Sequence, residues 1–359
     1  MMTDLNFLPI LDGHNDTLLH LHLTGRGGGR SFFTHSEHGH IDLPRARLGG
    51  FAGGFFAIFT PGPSQARLMK ENLVITGSSY EVHPFPAIDP AYAQQFIIAV
   101  VARLFRLETE SQGQIKVVRT VSELIHCLQE GILAIILHFE GAEAIDPHLD
   151  ALEVFYQAGL RSLGIVWSRP NTFGHGVPFK FPHSPDTGPG LTAPGRDLVR
   201  ACNRLGILLD LSHINEQGFW DVARLSAAPL VATHSAAHTL CPSTRNLTDR
   251  QLDAIKASQG IVGLTFELAN LREDADDDPN TPLDVIVRHI DYLVEHLGID
   301  GVGFGSDFDG GITLPQELGD VSGLPRLITA LREHGYDQPT LRKLTHENWL
   351  RVLRLTWQS

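Results

Sequence analysis

Six side chains able to hold a metal ion or carry a proton lie along this chain, each at the end of an apolar run. They are His14 and Asp16 after LPIL, Glu140 after ILAIILHF, His213 after ILLDLS, His234 after PLVAT, and Asp307 after GVGFGS. In an extended chain, residues i and i+2 project to one side, so His14 and Asp16 can bite one ion together. Imidazole plus carboxylate without thiolate suits zinc, or another divalent first-row ion such as manganese or cobalt. Three His, Asp16 and Glu140 are too many ligands for one open catalytic zinc. They suit two ions about 3.5–4 Å apart, bridged by a carboxylate and a hydroxide. Glu140, from an intermediate run, is expected as the bridge. Asp307 is then left as a proton carrier beside the bridging water.

Chemistry assembled from such distant segments needs a scaffold that gathers their ends. Eight strand candidates are legible: the opening segment from Leu8, Phe51–Thr60, Ile132–Glu140, Leu160–Trp167, Ile207–His213, Pro229–Ser235, Gly260–Phe266 and Gly301–Phe308. Most are continuous apolar runs, the pattern of parallel strands covered on both faces. Helical patterns lie between them, among them SELIHCLQEG, GRDLVRACNRLG, TDRQLDAIKASQG and LDVIVRHIDYLVEHLG, several with a Ser, Thr or Asp start and a Gly stop. About eight alternating units predict a (β/α)8 TIM barrel, an α/β fold whose active sites sit at the carboxyl ends of the strands. A doubly wound open sheet is the alternative, but no GxGxxG follows the first strand. Three stretches depart from the pattern: a Gly- and His-rich loop, Thr24–His40; Arg169–Pro194, long enough to cover an active site; and an acidic, solvated connector, Glu273–Pro282. No repeat or linker divides the chain, so residues 1–359 are read as a single domain.

The bulk properties narrow the partners. The 359 residues are 42% hydrophobic, with 41 Asp plus Glu against 28 Lys plus Arg and a net charge of −13. No basic block offers itself to nucleic acid or an anionic membrane. MMTDLNF lacks a signal-peptide pattern, and no apolar run approaches the roughly 20 residues that span a bilayer. Cys127, Cys202 and Cys241 are scattered without CxxC spacing, which suggests neither disulfides nor a thiolate site. A soluble cytoplasmic protein is expected.

Longer motifs surround the same residues: DGHNDT at His14, HFEGAEAI at Glu140, LDLSH at His213, THSAAHTLCPSTRNLTD at His234, and GSDFDG followed by DVSGLPRLITALREHG at Asp307. In these the chain resembles the renal (membrane) dipeptidase family, binuclear zinc dipeptidases with an amidohydrolase-like (β/α)8 fold, and within it a soluble bacterial-type member. The resemblance implies that His14, Asp16 and Glu140 hold one zinc, and that Glu140, His213 and His234 hold the other. It implies Asp307 as the catalytic Asp and Arg245 of STRN as the residue that binds the substrate's C-terminal carboxylate, with Asn246 beside it. The animal enzyme's fourth strand ends in a His that contacts the scissile carbonyl oxygen. Here that position is Trp167, whose indole N–H could donate instead, or His175 from the following loop could reach in. The implied substrates are free dipeptides, L-Xaa-L-Xaa and L-Xaa-D-Xaa; the implied partner is that small molecule alone, with a homodimer left open.

Two other readings compete. A related metallohydrolase acting on a lactone, cyclic amide or phosphoester would typically use HxH and a carboxylated Lys on the fourth strand, and LRSLGIVW has no Lys. A metal-binding scaffold without catalysis would have no use for Asp307. The remaining candidates are assigned as follows. His20 and His22 lie past the position that HND fills, and His35, His38 and His40 read as loop residues. His138 is expected as a hydrogen-bonded barrel residue. His238 has weak support as a ligand. Asp12 is expected to orient a ligand His, and Asp309 to be structural.

Overall fold

The protein is described by a computed structural model covering residues 8–23, 28–62 and 65–357, without the side chains of residues 65 and 66. Residues 24–27 of the expected Gly-rich loop lie outside it. Eight strands form one parallel barrel: β1 (Ile10–Asn15), β2 (Phe51–Phe59), β3 (Leu133–Glu140), β4 (Leu160–Gly164), β5 (Leu208–Asp210), β6 (Val231–Ser235), β7 (Ile261–Leu264) and β8 (Val302–Phe304). Each pairs with its neighbours in chain order, and β1 closes onto β8 with Asp12 opposite Phe304. The (β/α)8 expectation is met, and the closure overturns the open-sheet alternative. The apolar runs follow from this geometry. All eight residues of β3, LAIILHFE, are buried, because helices cover one face and the barrel interior the other.

Helix boundaries follow the chemistry of the caps. Thr120 accepts from Glu123 N at the start of Val121–Glu130, which ends at left-handed Gly131. Thr192 accepts from Gly195 N before Ala193–Leu205, which ends at Gly206. Thr248 and Gln251 form a capping box on Asp249–Ala257.

Four expected strands are too long. The ladder stops at Gly164, Asp210, Leu264 and Phe304, short of Trp167, His213, Phe266 and Phe308. The residues beyond are apolar because they are buried, while the backbone has already turned: His213 has φ 64° and Asp307 φ 63°. The interval between β2 and β3 holds a 21-residue helix, Pro90–Glu110, and a hairpin of Leu73–Thr76 with Ser79–Val82. Lys180–Phe181 adds a third strand to that hairpin, so Arg169–Pro194 is partly a sheet rather than a plain loop. Arg169 itself is buried, with Nε donating to Glu143 at 2.8 Å and Nη2 to Thr60 O at 2.7 Å.

The amino-terminal end of the barrel is closed by Trp349, from the terminal helix Asn348–Thr356. It is fully buried with Leu11, Phe55, Val231 and Ile261, and its indole N–H donates to Phe304 O at 3.1 Å. A side chain at Gly263 would come within 2.0 Å of Thr233 O and 3.0 Å of the indole, so the plug depends on glycine there.

Candidate metal centre

The barrel brings all six candidate residues together. His14 is the fifth residue of β1, Asp16 follows it directly, Glu140 ends β3, and His234 is the fourth residue of β6. His213 and Asp307 stand just beyond β5 and β8, in the left-handed turns that aim them inward. Glu140 lies at the centre: its Oε1 is 2.9 Å from His213 Nε2, 3.5 Å from His234 Nε2 and 3.9 Å from His14 Nε2. His14 Nε2 is 3.5 Å from Asp16 Oδ2. Two ligand sets share Glu140, one with His14 and Asp16 and one with His213 and His234, and the atoms of each set lie within 4.8 Å of one another. Two further sets join His14 with His234 and Asp307, and His14 with His138 and Asp210.

The electrostatics ask for cations here. Burial holds His213 and His234 well below the usual imidazole range, so both rings are neutral. Thr233 donates its only hydroxyl proton to Asp210, at 2.6 Å, and therefore accepts from His234 Nδ1–H at 2.9 Å. That leaves a lone pair on His234 Nε2, facing His213 Nε2 at 3.1 Å. His14 is buried with neither ring nitrogen hydrogen-bonded among the described residues. Burial would lower its pKa, but Glu140, Asp16 and Asp307 outweigh it and push the imidazolium up to about 10. Burial raises Glu140 to about 8 and Asp307 well above the usual carboxylate range. Converging lone pairs and crowded carboxylates fit divalent ions.

Several supporting residues were not identified from the sequence. Asp210 accepts from the backbone N–H of Ser212 and Thr233 as well as the Thr233 hydroxyl. Ser168 Oγ lies 2.8 Å from His213 Nδ1 and fixes that ring. The adjacency of Thr233 to His234 and of Asp210 to His213 was the available signal. Asp12 departs from expectation. Instead of orienting a His it holds the turn after β8, accepting from Ser306 N at 2.7 Å and Ser306 Oγ at 2.8 Å, because β1 and β8 are neighbours. His138 hydrogen-bonds Ser162 at 2.9 Å, as expected for a barrel residue. Asp309 accepts from Thr17 and from His40 N, a structural role. Gly310 allows the turn to close: a side chain there would meet Asp307 at 2.3 Å. His22 packs on Phe96 and His238 bonds His183 O, both away from the ligand sets.

The substrate-side candidates divide. Arg245 is 5% exposed; Nη2 donates to His234 O at 3.1 Å, and its other guanidinium N–H groups make no hydrogen bond among the described residues. Burial lowers its pKa, against the pull of Asp307, Glu267 and Glu140. Trp167 packs between Phe59 and Phe85, with its ring 5.7 Å from His213. Asn246 Nδ2 donates to Cys241 O and Asn270 O and ties two loops together, while its buried Oδ1 has no hydrogen bond among the described residues. His175 meets the His213 loop through its backbone, its carbonyl accepting from Asn215 N, and no ring contact joins it to the cluster.

A barrel with this buried set of His and carboxylates at its carboxyl end is a metallohydrolase scaffold, and the comparisons with known proteins agree. Residues 5–358 match the family model for membrane dipeptidase, peptidase family M19. The structure of dipeptidase AC, an M19 metallo peptidase, is 51% identical with TM-score 0.93, over 99% of this chain and 100% of that one. A metallo peptidase from Rhodobacter sphaeroides, liganded with a phosphinate mimic of L-Ala-D-Ala, is also 51% identical with TM-score 0.93, over 98% and 100% of the chains. Dipeptidase tcpJ of Claviceps purpurea is 28% identical over 96% of this chain and 76% of its own length. The chain belongs to the M19 membrane dipeptidase family and is a metallopeptidase of the dipeptide-hydrolysing class. Among the described residues no helix is long and apolar enough to cross a membrane.

Proposed function

We propose that this protein is a binuclear dipeptidase that cleaves free L-Xaa-L-Xaa and L-Xaa-D-Xaa dipeptides. The observation that carries this reading is Glu140 shared between two ligand sets, with buried Arg245 beside them. His14, Asp16 and Glu140 would hold one ion, and Glu140, His213 and His234 the other; the donor set suits zinc. When bound, the ions polarise the scissile carbonyl and lower the pKa of the attacking water. Asp307 takes the proton as hydroxide attacks and passes it to the leaving amine, a role suited to its raised pKa. The Trp167 indole N–H, in the place of the family's His, donates to the carbonyl oxygen. Arg245 grips the terminal carboxylate in a fork of hydrogen bonds. The R. sphaeroides relative's L-Ala-D-Ala mimic supports tolerance of a D residue at the C-terminus. A cytoplasmic setting belongs to the same proposal, with a homodimer as the assembly to test.

The experiment compares a free dipeptide, its C-terminal amide and a tripeptide on the zinc-loaded enzyme. An amide leaves Arg245 without its counter-charge, which costs on the order of 2–5 kcal/mol, or roughly 30- to several-thousand-fold in kcat/KM. Arg245→Ala should weaken the free dipeptide strongly and the amide little. Equal cleavage of dipeptide and amide by the unmutated enzyme would overturn the clamp and the dipeptidase reading together.

A further inference from the structure

Glu267 stands three residues beyond β7, on the same rim as the metal centre. It is only partly exposed. Asn270 Nδ2 donates to its Oε2, while Oε1 accepts no hydrogen bond among the described residues. The charges that face it come from separate elements. Arg245 lies on the loop after β6, which Asn246 ties to the Glu267 loop by donating from Nδ2 to Asn270 O at 2.8 Å; among the described residues Arg245 and Glu267 form no ion pair. Asp277 comes from the acidic connector and sits at the exposed rim. Tyr80 comes from the hairpin, its ring stacked on Phe181 at 6.0 Å and packed against Cys241 on the Arg245 loop. A carboxylate oxygen without a partner thus stands near a buried guanidinium that also has open donors.

The inference rests on the dipeptidase reading above. If Arg245 holds the substrate's C-terminal carboxylate, the side chain of that same residue diverges from the same Cα. The group next to the clamp but not bonded to it then faces that side chain. We propose that Glu267 is a specificity-determining residue that reads the C-terminal side chain and favours one ending in a cation, as lysine and arginine do. Once Arg245 is committed to the substrate carboxylate, a neutral side chain leaves Glu267 without a counter-charge, and an acidic one adds repulsion. Asp277 adds attraction of the same sign at the entrance.

The test uses three substrates with the zinc-loaded enzyme: L-Ala-L-Lys, L-Ala-L-norleucine, which lacks only the ammonium, and L-Ala-L-Glu. The expected kcat/KM for lysine over norleucine is roughly tenfold or more, with glutamate poorest. Glu267→Gln should bring the lysine-to-norleucine ratio to within about twofold and improve glutamate relative to both. A readout that needs no variant is the pH dependence of that ratio. Burial pushes Glu267 up to about 7, so the ratio should rise between about pH 6 and about pH 8, as the carboxyl ionises. A ratio near one in the unmutated enzyme, or one that survives in Glu267→Gln, overturns the assignment. If none of the three is cleaved, the dipeptidase reading itself fails and takes this assignment with it.

Discussion

At the amino-terminal end of the barrel, Trp349 is sealed among apolar side chains with its one polar atom bonded to Phe304 O. Its neighbour Asn348 donates to both Ile299 O and Val302 O at 2.7 Å. At the carboxyl end, His14 has two unbonded ring nitrogens, two neutral imidazoles face each other, and His213, Asp307 and Asp309 sit at positive φ. The same eight strands support both ends. What differs is whether polar groups are matched within the chain or held for something from outside. A matched end contributes stability, and an unmatched end gives up stability to be ready for a ligand.

The contrast is tested most severely at Glu140. Glu140→Gln should abolish binuclear metal binding and lower kcat/KM by roughly 10⁴-fold or more. The metal-free variant should melt no lower than the metal-free parent, because a buried carboxyl pushed up to about 8 has been removed. Elemental analysis and melting curves read both; one tightly bound ion in the fully active parent would refute the shared bridge. Asp307→Asn comes next. Metal content should persist while kcat falls by about 10²–10⁴-fold, the range of general acid–base catalysis. A kcat near the parent's removes Asp307 as proton carrier.

The other end should respond in the opposite way. Trp349→Ala should destabilise the fold by about 3–5 kcal/mol, seen in denaturant melts. What folded protein remains should keep its metal stoichiometry. The smallest effect is a pH slope. His289 is buried, with Nδ1 accepting from Ala237 N and Nε2 donating to Leu271 O. Burial lowers its pKa from 6.5 to about 4. A depressed folded-state pKa means that the unfolded chain takes up the proton first. This stability is therefore complete above about pH 6.5 and is lost as pH falls toward 4, a change on the order of 1–3 kcal/mol. His289→Gln should flatten that part of the stability curve, and an unchanged slope would show that other groups set it.

How much of this was legible depended on what each residue answers to. His14, Glu140 and His234 lie in strands whose ends the apolar runs mark, and the structure places all three in those strands. His213 and Asp307 were found, but as strand ends. A left-handed turn leaves no mark in hydrophobicity when its neighbours stay buried. Adjacency to Arg245 in sequence does not fix which way an amide points, and the Asn246 Nδ2 is taken up by Cys241 O and Asn270 O. Trp349 and Glu267 carried no local signal at all. The plug arises from the register of β7 and β8, which brings glycine under the indole, and the role proposed for Glu267 draws on a hairpin more than 180 residues before it in the chain.

The seam between β1 and β8 also has a consequence in time. The Asp12 carboxylate waits for Ser306, 294 residues downstream. At about 5–20 residues per second of synthesis, roughly 15–60 s separate the emergence of the two partners. Throughout that interval His14 and Asp16 exist without the turn that carries Asp307. The earliest-made part of the candidate centre is thus completed by one of the last, at the moment the polypeptide closes on its own beginning.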